Sequence, residues 1–81
     1  MNVRAQFFAQ LRDLAGAETV EINLPEKSTV SDLLEKIYEQ KPSLRASDPT
    51  TLIGVGIEFV GRDYQLRPNE LVAIMPPVQG G

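Results

Sequence analysis

Thr29-Val30-Ser31-Asp32-Leu33-Leu34-Glu35-Lys36-Ile37-Tyr38-Glu39-Gln40-Lys41-Pro42 is the one long helical pattern in the sequence, and the fold is read outward from it. Thr29 has the side chain of an N-cap, and Asp32 follows three residues later, where a carboxylate meets the positive end of the helix dipole. Val30, Leu33, Leu34, Ile37 and Tyr38 recur at the spacing of one helical face, and Glu35, Lys36, Glu39 and Gln40 cover the other. Pro42 predicts an end at Lys41.

On either side the period changes from helix to strand. Upstream, Val3, Ala5 and Phe7 alternate with Asn2, Arg4, Gln6 and Phe8, so Phe8 points away from the face that holds Phe7. Ala9 to Ala15 reads as a short helix with Leu11 and Leu14 on one side, and Gly16 stands where a C-cap wants positive φ. Val20, Ile22 and Leu24 alternate over Thr19 to Leu24, and Pro25 ends that strand. Downstream, residues 43–51 predict an irregular connection with a helical turn after Asp48-Pro49. Ile53, Val55, Ile57 and Phe59 then predict one strand whose apolar side chains join the core with Leu33, Leu34 and Ile37. Gly61-Arg62-Asp63 and Pro68-Asn69 are turns around a very short strand at Tyr64 to Leu66. Leu71 to Met75 predicts a central strand buried on both faces. The expected class is α+β: a mixed sheet of 4–5 strands with one main helix packed across it, plus short helices.

Composition narrows the function. Eleven acids against eight bases give a net charge of -3, and the scattered Lys and Arg residues form no basic footprint for nucleic acid. There is no cysteine and no histidine, which leaves no disulfide, no Cys/His metal site and no Ser–His or Cys nucleophile. No stretch approaches the roughly 18 apolar residues of a membrane span. Met1 to Gln6 lacks the pattern of a signal peptide, so the cytoplasm is the expected location. Arg12 and Asp13 read as a solvated face, and no pair of acids is spaced for a metal or for general acid–base work.

The chemistry is expected in the tail. Two terminal glycines arise by chance in roughly 0.5% of chains, so Gly80-Gly81 alone decides little. Here they follow Pro76-Pro77, directly after a strand. Neither proline can donate to a ladder, and both favour extended backbone. Residues 1–75 are therefore expected to form the domain and 76–81 a stiff stalk with a slim tip. A carboxylate on such a tip can be threaded into a narrow site of another protein, because glycine lets backbone approach closely. ATP can convert it to an acyl adenylate. A sulfur nucleophile then yields a thiocarboxylate, whereas an amine or thiol of another protein yields a conjugate. No phosphate-binding loop is present, so activation requires a separate enzyme.

Phe7-Phe8-Ala9-Gln10-Leu11-Arg12-Asp13-Leu14-Ala15-Gly16 resembles the N-terminal signature of molybdopterin synthase small subunits, the MoaD family, and Val72-Ala73-Ile74-Met75-Pro76-Pro77-Val78-Gln79-Gly80-Gly81 resembles its C-terminal signature. The thiamine-pathway carrier shares the Gly-Gly end, but is characteristically shorter, without the Phe-Phe-Ala segment and double proline. The resemblance implies a β-grasp, ubiquitin-like fold and a sulfur carrier. Gly81 would be the reacting residue, adenylated by an E1-like, ATP-dependent enzyme and converted with a sulfur donor protein to a thiocarboxylate. The carrier would pass sulfur to cyclic pyranopterin monophosphate on the large synthase subunit, within a heterotetramer. It would bind no cofactor of its own. Gly80, Gln79, Val78, Pro77, Pro76, Met75 and Phe8 would form the tail and partner-binding surface, with Phe8 and Met75 in an apolar docking patch. The chain departs from the family pattern at Gly56 and at Asn69-Glu70, which bear on loop geometry. A carrier for thiamine or another thio-product, a ubiquitin-like modifier and a plain interaction module are the other readings.

Overall fold

The computed structural model describes residues 1–77; Val78, Gln79, Gly80 and Gly81 lie outside the described residues. Strands β1 (Asn2–Phe7), β2 (Thr19–Asn23), β3 (Leu52–Val55), β4 (Glu58–Phe59) and β5 (Leu71–Met75) make one sheet in the order β2-β1-β5-β3-β4. β1 and β5 are parallel, and the other pairs are antiparallel. Helix α1 (Gln10–Ala15) follows β1, and α2 (Val30–Gln40) crosses one face of the sheet. This is the β-grasp arrangement, with the first and last strands side by side at its middle.

The main helix forms as its sequence dictates. Thr29 Oγ1 accepts from the Asp32 amide, and Asp32 Oδ2 accepts from the Thr29 amide at 2.9 Å, a reciprocal cap that satisfies two otherwise orphaned donors. Val30, Leu33, Leu34, Ile37 and Tyr38 are all buried. They pack on Val3, Ala5 and Phe7 of β1, Val72 and Ile74 of β5, Ile53 of β3 and Ile22 of β2. Gly16 ends α1 with φ 71°, its amide shared between the carbonyls of Arg12 and Asp13. Leu11 and Ala15 hold α1 to the core, while Leu14 is exposed.

Four expectations are corrected. Residues 53–59 are not one strand: the chain reverses at Gly56-Ile57, with Val55 opposite Glu58 and Gly54 opposite Phe59. Gly56 adopts φ 63°, which this two-residue turn requires. Reversal flips the facing of every later residue, so Phe59 shares a face with Gly54 and not with Ile53. Ile57 and Phe59 are 101% and 67% exposed and do not belong to the core; Val55 is half-buried at its edge. Tyr64 to Leu66 makes only an isolated bridge between Thr29 and Gln65. β5 is buried on the helix side alone, through Val72 and Ile74.

The fourth correction is the connection after α2, which is ordered as 3₁₀ turns over Pro42–Thr50. Long-range side chains hold it. Lys41 Nζ and Ser43 Oγ donate to the carbonyls of Ala15 and Leu14, both at 2.8 Å, closing the end of α1. Arg62 does more than mark a turn. Its guanidinium reaches Asp48 Oδ1 and the Asp48 carbonyl at 2.8 Å each, and the Thr51 carbonyl at 3.3 Å. The Tyr38 hydroxyl donates to the same Asp48 oxygen. Partial burial works against charge on Asp48, but the Tyr38 hydroxyl and the Arg62 guanidinium outweigh it and hold the carboxyl below its ordinary range. The ionised form is the one that folding favours. Its contribution is present above the unfolded value and lost as pH falls from about 4 through the lower folded value. Asp48→Asn is therefore expected to cost about 1 kcal/mol at neutral pH, since the pair is part-exposed. The gap to wild type should narrow as pH falls below about 4 in denaturant titrations; a gap independent of pH would remove the ionic account.

Candidate docking face and C-terminal tail

Among the described residues, no helix covers the face of the sheet opposite α2. Alternation along β5 places Leu71, Ala73 and Met75 there, between β1 and β3. Phe8, one residue past β1, remains in register because its amide donates to the Ile74 carbonyl at 3.1 Å. It is 39% exposed. From the far side, the β3–β4 reversal brings Phe59 opposite Gly54. Gly54 and Ala73 are the small floor of an apolar groove of about 300 Å³, walled by Phe8, Met75, Phe59 and Ile57. Small size matters at Gly54: a Cβ there would stand 3.0 Å from Met75 Cε. A second hollow continues past Leu71, itself 49% exposed.

Contiguous apolar side chains on an open sheet face mark an interaction surface, unlike apolar residues scattered singly. The floor is positioned from below by the core side chains of β5 and from its start by a fixed turn. At that turn Glu70 accepts from the Tyr64 hydroxyl and the Arg67 amide at 2.9 Å, and its own carbonyl accepts from Arg4 of β1 at 3.0 Å. β5 thus enters the sheet in a set register and leaves it at Met75. Pro76, half-buried, and the exposed Pro77 follow directly.

Of the expected site residues, the structure brings Phe8 and Met75 to one groove and sets Pro76 and Pro77 at its end of β5. Val78, Gln79, Gly80 and Gly81 fall outside the described residues. Phe59, Ile57, Leu71, Ala73 and Gly54 were missed as members of this face. The available signal was the pair of glycines at 54 and 56, since glycine inside an apparent strand marks a bulge, a bend or a close approach. Among the described residues no group of three Asp or Glu side chains could hold a metal ion, and no helix is long and apolar enough to cross a membrane. The polar cleft beside Asn2 and Asn69 is lined by the exposed Arg4–Glu21 pair, 2.9 Å apart.

Comparison with known proteins agrees with the geometry. The family model described as the ThiS family matches residues 5–81. A molybdopterin synthase sulfur carrier subunit of Dictyostelium discoideum is 31% identical over 77 residues, covering 91% of this chain and 90% of its own. A solved structure of a candidate molybdopterin converting factor subunit 1 from Pyrococcus furiosus is 31% identical, with a TM-score of 0.86 over 96% of this chain and 99% of its own. SAMP1 from Haloferax volcanii superposes with a TM-score of 0.88 over 100% of both chains; at 24% identity that likeness speaks to the fold. The chain belongs to the ThiS family, and molybdopterin synthase sulfur carrier subunits are among its relatives.

Proposed function

We propose that this protein is the sulfur carrier subunit of a molybdopterin synthase, with the carboxylate of Gly81 as its working group. One observation carries the reading. The central strand β5 supplies the floor of the apolar face and runs directly into the Pro76-Pro77 stalk, so a protein docked on that face receives the tail that follows.

The chemistry follows from a terminal carboxylate. Attack on ATP by the carboxylate oxygen forms an acyl adenylate and releases pyrophosphate. A sulfur nucleophile at the oxidation level of hydrosulfide then adds to the carbonyl, adenosine monophosphate leaves, and a thiocarboxylate remains. An E1-like enzyme and a sulfur donor protein are the partners for those steps. The large synthase subunit would then take the tail into its active site, where sulfur passes to cyclic pyranopterin monophosphate. Two carriers and two large subunits would form a heterotetramer. The chain's own residues dock and present; the groups that act on the pterin belong to the partner.

The test is an intact mass after incubation with an E1-like enzyme, ATP and a sulfur source. A gain equal to replacing one oxygen by sulfur is expected. If an active E1 gives no gain and cells instead hold higher-mass conjugates of the chain, the reading becomes that of a protein modifier.

A further inference from the structure

Ala9 is the one residue between the docking face and α1, and its backbone is strained. It sits at φ 53°, ψ -134°, in a turn closed by the Leu11 amide on the Phe8 carbonyl at 3.1 Å. That is the first central position of a type II′ turn, a conformation that glycine takes freely and that an L side chain resists. No side-chain cap relieves it. Lys27 and Asn69 are also non-glycine residues at positive φ, at 71° and 64°, but Ala9 differs from the left-handed helical Gly16 by its ψ of -134°.

The bonds that hold Ala9 in this conformation also hold Phe8. Both backbone groups of that residue are fixed, its amide by the Ile74 carbonyl and its carbonyl by the Leu11 amide. On the other side Leu11 is anchored in the core. An alanine at position 9 has few other conformations that preserve both bonds. A glycine has a broader allowed region around the same dihedral angles, and would leave Phe8 less narrowly held.

We propose that Ala9 is a positioning residue for the docking face: its enforced positive φ locks Phe8 against β5 in the orientation a partner receives. The inference rests on the docking role proposed above. Residues held in sparsely populated conformations gather at functional sites, where the surrounding structure over-determines them. Preorganisation of a contact side chain raises affinity by removing an ordering cost at binding.

Ala9→Gly separates strain from function because its two effects have opposite sign. Thermal unfolding should shift upward by roughly 4–8 °C as strain is relieved, net of the extra freedom of glycine in the unfolded chain. Affinity for the synthase large subunit, titrated with the full chain, should fall by about 3- to 10-fold. In a Phe8→Ala background the same substitution should change affinity by less than twofold, since the side chain being positioned is gone. Unchanged affinity in A9G, or a lowered midpoint, would overturn the inference. So would an A9G effect that persists at full size without Phe8, which would make the Ala9 methyl itself the contact. A wild-type chain that fails to bind removes the proposed function and this inference together, whereas wild-type binding that A9G leaves intact removes this inference alone.

Discussion

Deletion of Gly81 is expected to reduce sulfur transfer at least about a hundredfold while leaving most of the affinity for the partner. The truncated chain still ends in a glycine carboxylate, now that of Gly80, so its intrinsic reactivity is unchanged. What changes is reach. One residue of extended chain spans roughly 3.3–3.6 Å, and a misplacement of about 1 Å at a reacting atom can already cost about 10²-fold. In the proposed docking mode the body of the domain would sit on its partner through Phe8, Met75 and Phe59, which the deletion leaves in place. Single-turnover sulfur transfer and a binding titration, made on the same preparation, should therefore part company. Adding a residue after Gly81 should fail in the same way, because the carboxylate is then displaced in the other direction and carries a side chain. Transfer retained within tenfold in the deletion would mean that the terminal carboxylate is not the reacting group, and the apolar face would then be the surface of an interaction module.

Much of this architecture is legible in the sequence, for a physical reason that also explains the failures. α2 could be read residue by residue, because its cap, its apolar face and its stop are all local. The opposed facing of Phe7 and Phe8 follows from strand geometry alone. β5 has the bounds its composition suggests. The hairpin is not legible because a period of two reports alternation and says nothing of where a chain reverses. Ile53, Val55, Ile57 and Phe59 alternate equally well in one strand or across a turn. Once the reversal at Gly56-Ile57 is missed, Phe59 is assigned to the core and the groove loses a wall. The apolar run of β5 predicts burial on both faces because it cannot tell which neighbours are small. Gly54 and Ala73 leave that side open. The order in Pro42–Thr50 comes from Arg62, Tyr38 and the end of α1, all distant in sequence, so no local pattern could carry it. The reacting end proposed for the chain rests on Pro76-Pro77, on Gly80-Gly81 and on the family resemblance of residues 72–81.

Phe8→Lys should weaken binding to the large subunit by roughly 30- to 1000-fold, the range of a central aromatic contact worth about 2–4 kcal/mol. Folding should change little. The ring is already part-exposed, and the backbone bonds of Phe8 to Ile74 and Leu11 need no particular side chain. The neighbouring position supplies the contrast. Phe7 is 1% exposed against α2, so Phe7→Lys would bury a charge without a partner and is expected to unfold the domain. Two adjacent substitutions of one kind then test two faces of one sheet. Phe59→Lys tests the far wall of the groove. Its ring is more exposed than that of Phe8 and lies farther from Met75 along the sheet order, so its loss should be smaller yet still measurable. On the proposed function an E1-like enzyme would receive the same tail from the same strand, so its binding is expected to respond to Phe8→Lys as well. If both partners bind Phe8→Lys as tightly as wild type, the open face of the sheet is not where the tail is presented, and the groove beside β5 loses its role. If only one partner is affected, carrier and activating enzyme meet elsewhere, and the tail is threaded into its two successive sites by different surfaces of the domain.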